Sequence, residues 1–144
     1  MPVLFWAFAA STARARLTPM PLVAVAIAVL GLALGLFFWA ALSIRGKVFS
    51  YAYTQDTPAF LHTSGPYAYV RNPFYDSYLL ATAGSLLMWP TWIGAVLAAA
   101  MVIYFVSLAK FEEQKFESSP LRAEYERYKA RTGRLLPRLS GRSA

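Results

Sequence analysis

Long apolar segments without charged residues dominate the first two thirds of the chain. The clearest of them extends from Pro21 to Ser43. At about 1.5 Å of rise per helical residue, it is long enough to cross a hydrocarbon core of about 30 Å. We therefore predict a transmembrane helix over residues 21–43. Gly31 and Gly35 form a GxxxG pair in it, which is compatible with close approach of another helix or with a lipid-facing position.

Two further apolar segments, residues 74–88 and 93–109, are separated by the sequence Trp-Pro-Thr-Trp at positions 89–92. Pro90 cannot continue a helix with full hydrogen bonding. Tryptophan favours the headgroup level of a membrane. This pattern predicts a helical hairpin with spans over residues 74–89 and 92–109 and a tip between them. Pro73 suits the first position of the first hairpin helix.

The two ends of the chain differ in character. Residues 1–19 include an apolar stretch that is too short to cross a membrane and lacks the charged segment that precedes a signal-peptide core. We interpret it as an interfacial segment or the remnant of a further span. Residues 110–139 are polar, with Ser119 predicted as a helix N-cap and Pro120 as the first helical residue. Leu121, Tyr125, Tyr128 and Lys129 then recur at helical spacing, which predicts an amphipathic helix.

Composition supports a membrane protein. Of the 144 residues, 58% are hydrophobic and 15% are charged, whereas a soluble domain has about a quarter charged residues. The net charge is +7, and the basic residues flank apolar segments, which favours a membrane surface over nucleic acid. With no cysteine and one histidine, His62, the chain is not expected to bind a metal.

The distribution of Lys and Arg predicts the orientation. Nine of these residues follow position 109, so the C-terminus is expected in the cytoplasm, with Arg45, Lys47 and Arg71 on the same side. We predict an all-α, polytopic membrane bundle of three to four spans that includes a helical hairpin and a cytoplasmic amphipathic C-terminal helix. Residues 1–144 would form a single domain in a bacterial inner membrane.

Candidate chemistry lies at the cytoplasmic ends of the spans. The polar loop of residues 50–72 ends in a turn-rich segment with Arg71 at a membrane entrance, and Glu112 and Glu113 follow the third span. Taken separately, these are an ordinary interfacial loop with a snorkelling arginine and a helix end whose acids pair with Lys110 or Lys115. Because hairpin topology places both segments on one side, they can instead converge on a pocket for an amphipathic ligand.

Four motifs resemble the isoprenylcysteine carboxyl methyltransferase and phospholipid methyltransferase-like membrane family. Its signature joins a T-S-G-x-Y loop, an R-H-P-x-Y entry to a hairpin, a Glu-Glu pair after the hairpin, and a tail with Y-x-x-Y and a later proline. This chain has Thr63-Ser64-Gly65-Pro66-Tyr67, Arg71-Asn72-Pro73-Phe74-Tyr75, Glu112-Glu113, Tyr125-x-x-Tyr128 and Leu136-Pro137. The motifs keep their order and spacing from about Leu30 to Leu139.

The resemblance implies methyl transfer from S-adenosylmethionine to a lipid-like or isoprenoid acceptor at the cytoplasmic membrane surface. The implied cofactor contacts are Ala59, Phe60, Leu61, His62, Tyr67, Asn72, Pro73, Phe74, Tyr75 and Glu113. Tyr67 and Tyr75 would wall the cofactor, and Glu113 would hold its cationic end. Arg71, Lys110 and Glu112 are the implied substrate contacts. No catalytic base is assigned, because alignment of acceptor and methyl group supplies most of the acceleration.

The chain departs from the family pattern at several positions. Asn72 replaces the usual histidine and cannot titrate. Ser77 stands where a glycine is usual, after Asp76, and Leu121-Arg122 replaces Phe-Gly. The substrate-contacting arginine of the isoprenylcysteine enzymes falls near Ala109-Lys110, where Lys110 is the available cation. The loss of this arginine bears on prenylcysteine specificity more than on cofactor binding.

Two alternatives remain open at this level. The chain could be a non-catalytic membrane protein that keeps the methyltransferase-like fold, which the changes at positions 72, 76 and 77 favour slightly. A relative of the membrane sterol reductases is a weaker alternative, because a chain this short lacks most of their spans.

Overall fold

The computed structural model describes residues 19–44 and 60–138. Within these ranges the chain forms four α-helices and no strand: α1 (Met20–Ser43), α2 (Pro73–Met88), α3 (Trp92–Glu117) and α4 (Arg122–Arg131). A short 3-10 helix, Gly65–Ala68, precedes α2. The predicted all-α class is therefore confirmed for the described part of the chain. Ala59, Arg45, Lys47 and the predictions for residues 1–18 lie outside it.

Helix α1 packs closely along α2 through small side chains. Ala26, Ala33 and Ala40, spaced seven residues apart, are 0%, 4% and 0% exposed. On α2, a Cβ atom placed on Gly84 would lie 2.8 Å from Leu30 Cγ and 3.2 Å from the carbonyl oxygen of Ala26. Such small residues allow two backbones in a membrane to approach each other closely. This alanine and glycine contact fixes the position of α2, whose first turn carries part of the candidate site.

The GxxxG pair does not contribute to this packing. A Cβ atom placed on Gly31 or Gly35 would meet no described atom within 4 Å. Both glycines therefore face away from the described helices, which agrees with the lipid-facing alternative.

The two hairpin helices lie close to the predicted segments, but the second continues to Glu117, beyond the predicted end at residue 109. Helix α2 begins at Pro73 and ends at Met88, and α3 begins at Trp92. The side chain of Thr91 caps α3, since its Oγ1 accepts a hydrogen bond of 3.0 Å from the amide of Gly94. Such a cap satisfies one of the amides that the first helical turn leaves unpaired. The rings of Tyr75 and Phe105 stack with their centroids 5.3 Å apart and join the two helices near the candidate site.

Two of the described helices, α1 and α3, are long and apolar enough to cross a membrane. Large apolar side chains are exposed along both of them: Val25, Ile27, Leu32, Leu34, Phe38 and Leu42 on α1, and Val96, Leu97, Met101, Val102 and Ile103 on α3. A lipid bilayer is the environment in which such surfaces are stable. Helix α2 has 16 residues and a length of about 24 Å, which is shorter than the hydrocarbon core.

The C-terminal helix folds back against α3. Tyr125 and Tyr128 are its buried residues, at 2% and 3% exposure. The ring of Tyr125 stacks on that of Phe116 with centroids 4.9 Å apart. The predicted start at Pro120 is wrong by two residues: the helix begins at Arg122. Ser119 instead supports the preceding turn, where its Oγ accepts a hydrogen bond from the amide of Leu121.

Candidate functional site

A buried ion pair joins the loop before the hairpin to the helix after it. Glu113 lies near the end of α3 and its side chain is 6% exposed, while that of Arg71 is 9% exposed. Arg71 Nη2 lies 2.9 Å from Glu113 Oε1, and Arg71 Nε donates to the same oxygen at 3.0 Å. The predicted convergence of these two segments is therefore present in the structure.

A second arginine, Arg134, completes the cluster from beyond α4. Its Nε donates to Glu113 Oε1 at 2.9 Å, and its Nη2 donates to Oε2 at 2.7 Å. Two parallel bonds of this kind form the strongest arginine–carboxylate geometry, and the pairing raises the pKa of the Arg134 guanidinium. We call Arg71, Glu113 and Arg134 the ion cluster. Because the ion cluster contains two cations and one carboxylate, it carries a surplus of one positive charge.

Backbone contacts tie residues 132–134, which we call the C-terminal strap, to the loop. Val70 and Gly133 form an isolated parallel bridge, in which the amide of Arg71 donates to the carbonyl of Gly133 at 2.9 Å. The guanidinium of Arg71 also donates to the carbonyl of Thr132 at 2.5 Å. Asn72 Nδ2 donates to the carbonyl of Arg134 at 3.2 Å. The strap is thus held at several points, and these contacts fix the backbone position of Arg134.

The T-S-G-P-Y segment is fixed against α1 and α4. Gly65 has φ of +62°, and a Cβ atom there would overlap the side chain of Ser43, so glycine is required by both conformation and space. The hydroxyl of Tyr128 donates to the carbonyl of Tyr67 at 2.7 Å. Burial raises the pKa of both Tyr67 and Tyr128, so both remain neutral phenols. The His62 ring lies edge-on to the Tyr67 ring, with centroids 4.9 Å apart.

The second acid of the pair has a different environment. Glu112 is half-buried, and its Oε1 accepts a hydrogen bond of 2.7 Å from the hydroxyl of Tyr75. Lys110, in contrast, is exposed, and it forms no ion pair within the described part of the chain. The two glutamates therefore divide the site, with Glu113 in the ion cluster and Glu112 on the aromatic side of α2.

A buried hydroxyl beside the cluster lacks a partner. Tyr125 Oη makes no hydrogen bond within residues 19–44 and 60–138, although it is inaccessible to solvent. Burial raises the pKa of Tyr125, and the negative charge of Glu113 raises it further, whereas Arg71 lowers it. These electrostatic interactions place the phenol near the ion cluster. A polar group of a ligand, or a water molecule, would satisfy it.

The structure brings together most of the predicted residues. Arg71, Asn72, Tyr75, Glu112 and Glu113 are connected through the contacts above, and Tyr67 is linked to them through α4. Pro73 is buried as the first residue of α2, and Phe74 packs edge-on against Phe37 of α1 at 5.4 Å. Phe60, Leu61 and His62 lie half-buried at the start of the second described range. Lys110 is exposed and forms no ion pair with these residues in the part of the chain that the structure describes.

Sequence reasoning missed Arg134. Its pairing with Glu113 spans 21 positions and the whole of α4, so no local periodicity signals it. An available hint is its place in the basic tail just before Leu136-Pro137, which belongs to the motif set already identified. Tyr125 and Tyr128 were recognised as tail motif residues, but not as neighbours of the cluster.

Comparison with known families gives a match over most of this architecture. The profile of the phospholipid methyltransferase family matches residues 20–119, which include α1, the loop, the hairpin and both glutamates. Searches of characterised proteins and of solved structures each gave no significant match. The family profile covers more than half of the chain and confirms the resemblance noted from the motifs. The chain therefore belongs to the phospholipid methyltransferase family and is a membrane protein of a methyltransferase family that acts on lipid-like substrates.

Proposed function

We propose that the protein transfers a methyl group from S-adenosylmethionine to a lipid-like or isoprenoid acceptor at the cytoplasmic surface of a bacterial inner membrane. The observation that carries this proposal is the buried contact between Arg71 and Glu113. It joins the two motif segments on which the family resemblance depends. The concentration of Lys and Arg after residue 109 supports a cytoplasmic C-terminus. We also propose that residues 1–144 form one domain.

The residues of the site fit a zwitterionic nucleoside cofactor. Tyr67, Phe74 and Tyr75 offer aromatic surfaces of the kind that adenine and sulfonium groups favour. Tyr125 Oη is a buried donor that lacks a protein acceptor among the described residues. Glu113 already accepts two hydrogen bonds at Oε1, where Arg71 Nη2 also lies within ion-pair distance, and one hydrogen bond at Oε2. Its remaining capacity is one lone pair on Oε2, which suits a single bond to the cofactor ammonium.

The reaction requires little chemistry from the chain itself. When bound, S-adenosylmethionine supplies a methyl group on a sulfonium that leaves as a neutral thioether. The described residues hold and orient the reactants, and the ion cluster fixes the loop and the strap on which they lie. Alignment of this kind lowers the activation free energy by several kcal/mol, up to about 10. A phospholipid amine would have to be neutral, while a carboxylate acceptor needs no base.

Methyl transfer to lipids tests this proposal. The purified protein in detergent is incubated with methyl-labelled S-adenosylmethionine and a bacterial lipid extract, and the lipids are separated by headgroup. We expect label in one lipid class: a phospholipid with an amine headgroup or an isoprenoid carboxylate. The variant Glu113→Ala should remain inserted in the membrane but lose cofactor binding and labelling. Wild-type affinity for the cofactor in this variant would show that the assignment of Glu113 is wrong.

A non-catalytic membrane protein is the second candidate. The observation that favours it is Asn72, which stands at the usual histidine position and uses its amide to hold the carbonyl of Arg134. In that case the cluster would serve architecture alone. Absence of both lipid labelling and binding of S-adenosylhomocysteine would establish this alternative.

A further inference from the structure

The two arginines of the ion cluster differ in how many of their nitrogens are used. Arg71 directs Nε and Nη2 at Glu113 and Nη1 at the carbonyls of Lys129 and Thr132. Arg134 directs Nε and Nη2 at Glu113, and its Nη1 makes no hydrogen bond within the described ranges. The Arg134 side chain is 35% exposed, compared with 9% for Arg71. The surplus positive charge of the cluster is therefore presented by Arg134.

Arg134 is fixed in place close to an exposed apolar side chain. The strap holds its backbone through Asn72, and Glu113 holds one edge of its guanidinium, so the opposite edge is oriented before any ligand arrives. Two residues further along, Leu136 is 80% exposed. An exposed leucine beside a fixed cation is typical of a segment that lies among lipid headgroups.

We propose that Arg134 binds the phosphate of the phospholipid acceptor through the Nη1 edge of its guanidinium. This inference rests on the proposed function and assigns one residue of the chain to the headgroup phosphate of a phospholipid acceptor. A planar guanidinium can bind a carboxylate with one edge and a phosphate oxygen with the other. Because Glu113 already fixes the guanidinium, little side-chain freedom is lost on binding. Arg134 would thus act as a specificity residue that holds the headgroup near the methyl donor.

The test compares lipids that differ in the phosphate. Binding of dihexanoyl phosphatidylethanolamine and of dihexanoylglycerol, which lacks the phosphate and headgroup, is measured in detergent by tryptophan fluorescence. We expect Arg134→Gln to weaken phospholipid binding by about tenfold, which corresponds to the loss of one charge-assisted hydrogen bond. Binding of the diacylglycerol should change by less than about twofold. Dihexanoyl phosphatidylglycerol, which has the phosphate but no amine, should be weakened as much as phosphatidylethanolamine.

Two further variants control for charge and folding. Arg127→Gln removes an equal charge from an exposed residue whose Nε donates to Ala123 on its own helix, and phospholipid binding should stay at the wild-type value. Arg134→Lys keeps a cation that can pair with Glu113 but cannot bridge two oxyanions. It should therefore fold and still bind phospholipid more weakly than wild type, which preserves the test if Arg134→Gln does not fold.

S-adenosylhomocysteine is titrated in parallel to separate the two proposals. Loss of phospholipid affinity in both Arg134 variants supports the phosphate site, even if S-adenosylhomocysteine fails to bind and the methyltransferase proposal falls. Equal loss for phospholipid and diacylglycerol would overturn the inference, because it would indicate a structural role. A loss of S-adenosylhomocysteine affinity with unchanged phospholipid affinity would also overturn it and assign Arg134 to the cofactor carboxylate.

Discussion

Arg71 and Glu113 lie 42 positions apart in the sequence, one before and one after the helical hairpin, and their side chains meet at 2.9 Å with less than a tenth of either exposed. Charges are rarely buried to this degree unless they are paired. Arg134 adds a bidentate contact on the same carboxylate. Three distant parts of the chain therefore depend on one acidic side chain.

Removal of the charge on Glu113 should destabilise the fold. In Glu113→Gln, the buried guanidinium of Arg71 loses its counter-ion, and we expect a loss of about 3 kcal/mol. Glu112→Gln is the matched control, because an amide oxygen can still accept the hydrogen bond from Tyr75, and it should cost about 1 kcal/mol or less. Thermal unfolding in detergent measures both. Equal melting temperatures would show that the ion cluster contributes no stability.

The two buried tyrosines of α4 should respond in opposite directions to loss of their hydroxyls. Tyr125→Phe removes a hydroxyl without a described partner, so the unliganded protein should gain about 1 kcal/mol. Tyr128→Phe breaks the bond to the carbonyl of Tyr67 and should cost about 1 kcal/mol. If a ligand normally satisfies Tyr125, then Tyr125→Phe should also bind S-adenosylhomocysteine more weakly. A loss of stability in Tyr125→Phe would mean that its hydroxyl is already satisfied without ligand.

Helix contact in the membrane should tolerate substitution at one glycine and not at another. Gly84→Val places side-chain atoms against Leu30 and the backbone of Ala26, and we expect a loss of about 2 kcal/mol. Gly31→Ala meets open space and gains helix propensity, so its stability should be unchanged or higher. Thermal unfolding of both variants, with chromatography to follow oligomeric state, makes the comparison. A larger loss for Gly31→Ala would indicate that the GxxxG face is packed in the native protein.

High pH should destabilise the C-terminal part of the structure. Burial raises the pKa of Tyr67, Tyr125 and Tyr128 above the ordinary value of 10.0. The folded state then retains protons that the unfolded state releases, so the contribution of these tyrosines to stability is constant below about pH 10 and falls as the pH rises beyond it. Melting temperature and tyrosinate absorbance, measured over the same range of pH, test this prediction. Titration of all nine tyrosines at their ordinary pKa, without unfolding, would contradict the burial of these three.

Much of the helical framework was predictable from local patterns. The apolar segments indicated α1 and the hairpin. Pro73 and the Trp-Pro-Thr-Trp tip indicated two of the hairpin's boundaries, because proline restricts a helix through its own backbone. The predicted start of α4 is wrong, because Ser119 and Pro120 suit the first turn of a helix as well as they suit the bend that precedes it. Helix α1 has two faces of small residues: one is formed by Gly31 and Gly35, and the other by the alanines at positions 26, 33 and 40. Composition alone could not decide which face contacts α2.

The site was predictable only as far as its motifs reach. Arg71, Tyr75 and the two glutamates were expected to converge because hairpin topology returns them to one side. The partners of Glu113 were not predictable, since the choice between the cofactor, Lys110, Lys115 and Arg134 depends on tertiary distances. The contact between Val70 of the loop and Gly133 of the strap likewise involves backbone atoms. The pattern of side chains along the sequence therefore does not predict it.

Cofactor binding can be measured by calorimetric titration of the purified protein, in detergent, with S-adenosylhomocysteine. We expect saturable binding with one site per chain, lost in Glu113→Ala and retained in Arg127→Gln. A flat titration of the folded wild-type protein, with its melting temperature unchanged by the ligand, would contradict it.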